Sequence, residues 1–409
     1  MIIYINSEDT KTFLFSNTEK SAGVSYEWEG EDVIQIHLQP EKHSYGSEDK
    51  VLFCKELPSD EEKKEFRFIV VPQADNEGCI LYENVNGTLE QRVPSFIPSK
   101  QDLYSRNNGL LEVGLLEQKC VLIIGLGSFG SQIAIELAKA GVGNFSIMDF
   151  DRIELHNLCR HTSYLKDLGR LKTNEIEEAI LGKNPYAQVK KYPVNINEDL
   201  DLLEKQVANA DIVICATDNN ASRYHISEAL VRNQKIGVFG RAITRAEGGD
   251  VFIYRPGEAC YCCLTNLIKL PEEEITNVRD SRIPQYADNP NAMVQVGLSA
   301  DIEPICNMMI KLTLMELSRR MTSGISSLED DFVYNYYIWA NRRERNYSRW
   351  PAMPEAGPRP TIMRWYGARI KKNEHCTVCS NDAILYEGPS VKIEGLEDIS
   401  IDHIEDNAE

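Results

Sequence analysis

The sequence predicts an α/β protein, a doubly wound and mainly parallel sheet with a small β-rich domain before it and a metal-stapled segment behind it. Three observations predict this. From about Leu103 to about Leu317, apolar strand-sized runs alternate with amphipathic helical stretches, the pattern of a parallel sheet covered on both faces. A glycine-rich turn, Gly125-Leu-Gly127-Ser-Phe-Gly130, lies directly between an apolar strand and a helix. Two Cys-x-x-Cys pairs, Cys260/Cys263 and Cys376/Cys379, fall late in the chain.

Residues 1–98 form the β-rich accessory domain, with strands expected at MIIYI, VIQIHL, FRFIVV and CILYENV and turns rich in Gly, Asn and Asp. One helical interruption is expected there, at SDEEKKEF, opened by a serine able to cap it. His37 and His43 invite a metal, but isolated strand and surface histidines are the commoner case. Residues 99–385 hold the main domain. VLIIGLG, FSIMDFD, QVKKYPVNI, DIVICATD, KIGVFGRA and GDVFIYRP read as its strands, and QIAIELAKAG, LKTNEIEEAILG and SRYHISEALVRN as helices. Beyond Asp330 an aromatic, basic and Pro-rich stretch reads as extended or lightly structured. Within 339–372, nine basic residues accompany Trp339, Trp350 and Trp365, either as a guide for an acidic partner or as a solvated strip whose rings pack on the core. Residues 386–409 form an acidic C-terminal tail.

Composition narrows the function. The 409 residues carry a net charge of −19, and that balance argues against nucleic acid as the main partner. No apolar run approaches the ~20 residues of a membrane span. The N-terminus, MIIYINSEDTKTF, has none of the features of a signal peptide, so a cytoplasmic protein is expected. An odd total of 11 cysteines reads poorly as a secreted disulfide framework.

The chemistry starts at the glycine-rich turn. Its glycines permit a tight bend and close backbone approach, and the helix it opens offers free N–H groups to phosphate. Nineteen residues after Gly130 stands Asp149, at the end of the next strand, where a carboxylate can take ribose hydroxyls. Alone, this pattern would suit an NAD-dependent oxidoreductase.

The motifs downstream of that strand point elsewhere. Asp149-Phe-Asp151 leads into Asn157-Leu-Cys159-Arg160-His161, then Gly169-Arg-Leu-Lys172, and an apolar strand later ends at Thr217-Asp218-Asn219 with Arg223 close behind. In this order and spacing the chain resembles the ThiF/MoeB/ubiquitin-activating (E1-like) superfamily, which adenylates the C-terminal carboxylate of a small protein or peptide. The resemblance implies a Rossmann-like, ThiF-type adenylation domain that uses ATP and Mg²⁺. It implies Gly125, Gly127 and Gly130 at the nucleotide, and Asp149 and Asp151 beside it, Asp149 on the ribose. Asn157, Arg160 and Lys172 would grip the triphosphate, and Asp218 would ligate Mg²⁺. Taken singly, Arg160 and Lys172 could be surface charges and Asp218 a helix cap. Upstream, Tyr104-Ser-Arg106 resembles the family's entry segment, whose arginine reaches across a homodimer to the partner's ATP. Arg106 is the candidate, although Asn107 stands where Arg or Gln is usual.

Each Cys-x-x-Cys pair can put two thiolates on one ion, so Cys260, Cys263, Cys376 and Cys379 predict a structural Cys₄ Zn²⁺ site, with disulfides the rival. The superfamily carries the same pattern, with a non-cysteine residue where Cys262 stands. Its ubiquitin-activating members also place a thioester cysteine after the first pair. Leu264–Ile305 has none, Cys306 lies in an apolar helical pattern, and Cys159 matches that position poorly, so a thioester step on this chain is not supported. The expected function is ATP-dependent adenylation of a small ubiquitin-like protein, with a separate conjugating enzyme as a candidate recipient. Modification of a ribosomal peptide precursor, as in microcin biosynthesis, is the alternative.

Overall fold

A computed structural model describes residues 1–28, 30–39, 47–73, 78–97, 103–107, 109–243, 246–267, 297–319, 325, 327–343 and 362–380. The chain divides into two units, Met1–Arg106 and Asn107–Glu409. His43, Arg345, Arg349, Trp350, Arg359 and the tail 386–409 lie outside the described residues.

In the first unit the strands are β1 (Ile2–Asn6), β2 (Lys20–Trp28), β3 (Val33–His37), β4 (Ser47–Cys54), β5 (Phe68–Pro72), β6 (Cys79–Val85), β7 (Thr88–Arg92) and β8 (Ser95–Ile97). They form one mixed sheet in the order β7-β6-β5-β4-β2-β3-β1-β8. Its apolar face gathers Ile3, Ile5, Ile34, Ile36, Phe53 and Phe68. The expected strands are present, but the helix is elsewhere. SDEEKKEF gives only a 3-10 turn, Glu62–Glu65, because it buries no side chain. The α-helix is Ser7–Phe15, which buries Phe13 against the sheet. His37 is a buried strand histidine with its Nε2 3.4 Å from Gln35 Oε1.

The second unit adds β9 (Cys120–Ile124), β10 (Asn144–Met148), β11 (Gln188–Tyr192), β12 (Ile212–Cys215), β13 (Ile236–Ala242), β14 (Gly248–Tyr254), β15 (Tyr336–Ala340) and β16 (Arg364–Ala368). Their order is β11-β10-β9-β12-β13-β14-β15-β16. The first five run parallel, and β14, β15 and β16 are antiparallel. Alternate residues of β9 enter opposite cores, Val121 and Ile123 on one face, Leu122 and Ile124 on the other. Helices Ser128–Ala140, Lys172–Leu181 and Ser299–Leu317 cover the first face, and Leu200–Asn209, Asn220–Asn233 and Tyr261–Leu267 the second. This is the doubly wound arrangement the apolar strands require.

Two parts depart from expectation. The helix Leu200–Asn209, begun by an Asp199 carboxylate accepting from the Leu202 N–H at 3.0 Å, joins those read from the sequence. The stretch after Asp330 is not merely extended, since it supplies β15 and β16 to the sheet. Trp339 is buried there, 5.4 Å from the Trp365 ring, while Arg343, Arg369, Lys371 and Lys372 are exposed.

The strand order reverses at β9, whose neighbours β10 and β12 are reached by connections running in opposite directions. The carboxyl ends of these strands flank a crevice, and that is where open α/β sheets bind ligands.

Candidate active site

The glycine-rich turn leaves β9 at this reversal point. Gly125 has φ +88°, and a Cβ there would meet the Ala216 carbonyl oxygen at 2.7 Å. At Gly130 a Cβ would come within 1.9 Å of the Gly125 oxygen. These two glycines are therefore required by packing. Gly127 is different. It opens the helix Ser128–Ala140, and a Cβ there would meet nothing within 4 Å. Its N–H also has no acceptor among the described residues. That open face is what a phosphate needs from such a loop.

Side chains after the next strand hold the loop. Asp149 Oδ2 accepts the Leu126 N–H at 2.7 Å, and Oδ1 accepts the Asp151 N–H at 2.7 Å. Burial raises the Asp149 carboxyl above the usual carboxylate range, opposed by the Lys172 ammonium. Lys172 donates to Asp151 Oδ2 at 2.9 Å and lies 3.8 Å from Asp149 Oδ2, so one buried cation serves both carboxylates. It is not a surface charge. Beyond Asp149, Phe150, Pro193, Val194, Asn195, Glu198 and Asp199 line a recess of about 410 Å³.

Asn157 folds its own segment, its Oδ1 accepting the Glu154 N–H at 2.9 Å. Arg160 follows, half-buried, with a buried Nε that has no hydrogen-bond partner among the described residues. It borders a second cavity of about 460 Å³, together with Gln132, Ser299 and Asn307.

On the other flank, β12 ends in Thr217-Asp218-Asn219. Asn219, not Asp218, caps the next helix, its Oδ1 accepting the Ser222 N–H at 2.9 Å. Asp218 is exposed and makes no hydrogen bond or ion pair with a described residue. Its carboxylate is chemically uncommitted, as a hard-cation ligand must be. Buried Arg223 fixes the turn by donating to the Thr217 carbonyl at 2.7 Å. Arg106, exposed, is the last residue of the first unit, in a single 3-10 turn, Ser105–Asn107.

The four cysteines converge. Their sulfurs lie within 4.8 Å of one another, all four residues buried. Cys260–Cys376 is 3.6 Å, Cys263–Cys379 3.5 Å and Cys260–Cys263 3.9 Å. A zinc–sulfur bond of about 2.3 Å in a tetrahedron places sulfurs about 3.8 Å apart, so the donor set fits that ion. None of these cysteines is in a disulfide. The Asn373 and Val378 N–H groups point at Cys263 and Cys376 sulfur from 3.4 and 3.5 Å, as donors around a thiolate do. Cys262 stands outside the set, its sulfur 3.6 Å from Asn266 Nδ2.

A model of the ThiF family matches residues 106–350, more than half of the sequence. The chain belongs to the ThiF family. This ThiF-family chain is 38% identical over 154 residues to the molybdopterin-synthase adenylyltransferase of Escherichia coli, a match covering 37% of this chain and 61% of that protein. It is 32% identical over 188 residues to the adenylyltransferase and sulfurtransferase MOCS3 of Anopheles gambiae, covering 44% and 41%. It thus spans about two-fifths to three-fifths of the length of these relatives. Among solved structures, E. coli MccB superposes with a TM-score of 0.52 at 19% identity, over 71% of this chain and 75% of that one, a likeness of fold.

Sequence alone assigns no role to His161 or Glu175. His161 Nε2 lies 2.8 Å from the Leu126 carbonyl oxygen, and Nδ1 accepts the Ser163 N–H at 3.0 Å. Burial pushes this imidazole down to about 4, with the Lys172 charge adding to the effect. Glu175 Oε2, 3.9 Å from His161 Nδ1, is buried without a hydrogen bond to any described residue, and burial pushes its carboxyl from 4.5 up to about 7. Nothing in the spacing marks either residue, because each acts on neighbours brought close only by folding.

Glu175 yields a stability prediction. Between about pH 4.5 and 7 the folded protein keeps a proton on Glu175 that the unfolded chain releases, so the wild type loses stability as pH rises through that window. Glu175→Gln removes the loss, about 3 kcal/mol. Urea midpoints at pH 5 and pH 8 should show the variant gaining on the wild type at the higher pH. An equal difference at both would show that Glu175 titrates normally.

Proposed function

We propose that this chain adenylates the C-terminal carboxylate of a small ubiquitin-like protein, using ATP and Mg²⁺. The observation that carries the proposal is the arrangement at the strand-order reversal. Gly127 with open space at its Cα, Asp149 with Lys172, and an uncommitted Asp218 belong to segments that meet at the glycine-rich turn, to which His161, next to Arg160, is also bonded. The sulfur-carrier and molybdopterin-synthase adenylyltransferases among the relatives support the substrate class.

The chemistry suits these groups. A carboxylate attacks the α-phosphorus of ATP, one acyl–oxygen–phosphorus bond forms, and pyrophosphate leaves. Both reactants are anions, so the site must supply positive charge and hold them in line. In this reading the loop N–H groups and Arg160 bind phosphate, Asp149 takes the ribose and the recess beside Phe150 takes the base. Asn157 holds Arg160's turn, and Asp151 balances Lys172 until the triphosphate draws that ammonium. Asp218 would hold Mg²⁺, which neutralises phosphate charge when bound.

We assign Cys260, Cys263, Cys376 and Cys379 to a structural Zn²⁺, with no ligand position left open for catalysis. Residues 99–385 would form the adenylation domain, with 1–98 an accessory domain. A homodimer is part of the proposal, Arg106 reaching the partner's nucleotide. Leu155, Tyr164 and Leu165, each about two-thirds exposed, offer apolar surface beside the site for a second copy. No helix among the described residues is long and apolar enough to cross a membrane. A reducing cytoplasm would keep the zinc thiols available.

The test incubates the protein with ATP, Mg²⁺ and candidate small proteins and reads the masses. A gain of one AMP on a ubiquitin-like C-terminus supports the proposal. AMP on a short ribosomal peptide instead assigns the alternative, and NADH binding without ATP binding overturns adenylation.

A further inference from the structure

We propose that His161 is a positioning residue for the nucleotide loop, turning the Gly127 N–H outward by holding the Leu126 carbonyl inward. The inference rests on the nucleotide reading of this crevice and goes beyond it to a residue that reading does not use.

The geometry runs from one peptide group to the next. Leu126 is held at both ends, its N–H by Asp149 Oδ2 at 2.7 Å and its carbonyl by His161 Nε2 at 2.8 Å. Because Nδ1 of the same ring accepts the Ser163 N–H, Nδ1 carries no proton and Nε2–H is the donor. The tautomer is thereby fixed. The Leu126–Gly127 peptide is trans, as every peptide described here is. In a planar trans peptide the carbonyl and the N–H point in opposite directions. A carbonyl drawn inward to buried His161 therefore sends the Gly127 N–H to the opposite side. The N–H has no acceptor among the described residues.

His161 also ties Arg160 to the loop, because the two are consecutive and the imidazole sets the position of their shared backbone. The bond is built for a neutral imidazole. Glu175 from the helix Lys172–Leu181 and the Lys172 ammonium face it, and burial keeps the proton off Nδ1.

The test measures Mg²⁺–ATP binding, not turnover, for wild type, His161→Ala, His161→Gln and His161→Asn. Alanine leaves the Leu126 carbonyl buried without a donor and frees the peptide to flip. A loss of affinity of about tenfold to a hundredfold is expected. Glutamine's amide can reach the same oxygen, so His161→Gln should recover affinity to within about threefold of wild type. Asparagine, one methylene shorter, should behave like alanine. If the alanine variant fails to fold, the glutamine–asparagine pair carries the comparison. Wild-type affinity in the folded alanine or asparagine variant overturns the inference alone, as does a glutamine variant as weak as asparagine. Wild-type protein that binds no ATP overturns the nucleotide reading, and this inference with it.

Discussion

Asp218→Ala is expected to reduce ATP–pyrophosphate exchange at least about a hundredfold while leaving the unfolding temperature within about 1 °C of wild type. Both halves come from the same geometry. Asp218 is exposed and bonds to no described residue, and the helix after it is capped by Asn219. Removing the carboxylate therefore costs the fold nothing that the structure displays. It does remove the only proposed protein ligand for Mg²⁺, and charge neutralisation at phosphate is worth several kcal/mol in such reactions. Asn219→Ala serves as the converse control. It loses a helix cap worth ~1 kcal/mol and should lower stability first. Exchange at the wild-type rate in Asp218→Ala would place the metal on another residue.

The second large effect is on the cysteine cluster. Cys376→Ser should abolish zinc binding and lower the melting temperature by about 10 °C or more, since structural zinc contributes directly to folding. Metal content of the purified protein, read by elemental mass spectrometry, should fall from about one zinc per chain to near zero. Cys262→Ser should keep its zinc, because that sulfur lies outside the set of four. Wild-type protein that holds no zinc and melts with the serine variant would reduce the four residues to ordinary buried thiols.

How much of this was legible from residues depends on how local each signal is. Four of the five parallel strands were readable because burial on both faces demands continuous apolar runs such as VLII, whereas edge strand β11, QVKKY, is half exposed. Gly125 and Gly130 were readable because a strand–turn–helix leaves few alternatives to glycine, and the cysteine pairs because metal ligands need short spacing. β15 and β16 were hidden, since YYIWA and RWYGA lie in a stretch whose basic and Pro-rich composition suggests solvent. The helix Ser7–Phe15 was missed because its mixed SEDTKTFLF shows little apolar periodicity. Whether Asp218 or Asn219 caps the helix could not be chosen from adjacent residues that both cap well. His161 was invisible because its partner, the Leu126 carbonyl, is 35 residues earlier and carries no side-chain signature.

The cysteine cluster joins two points of the chain separated by 112 residues. The entropy of closing so long a loop changes by only about 0.6 kcal/mol when its length doubles. Evolution could therefore lengthen or trim what lies between Cys263 and Cys376 at little thermodynamic penalty, provided the helix Ser299–Leu317 and the strands β15 and β16 still pack on the sheet. A protein engineer wishing to graft a new module would start in that span, outside the helix and the two strands.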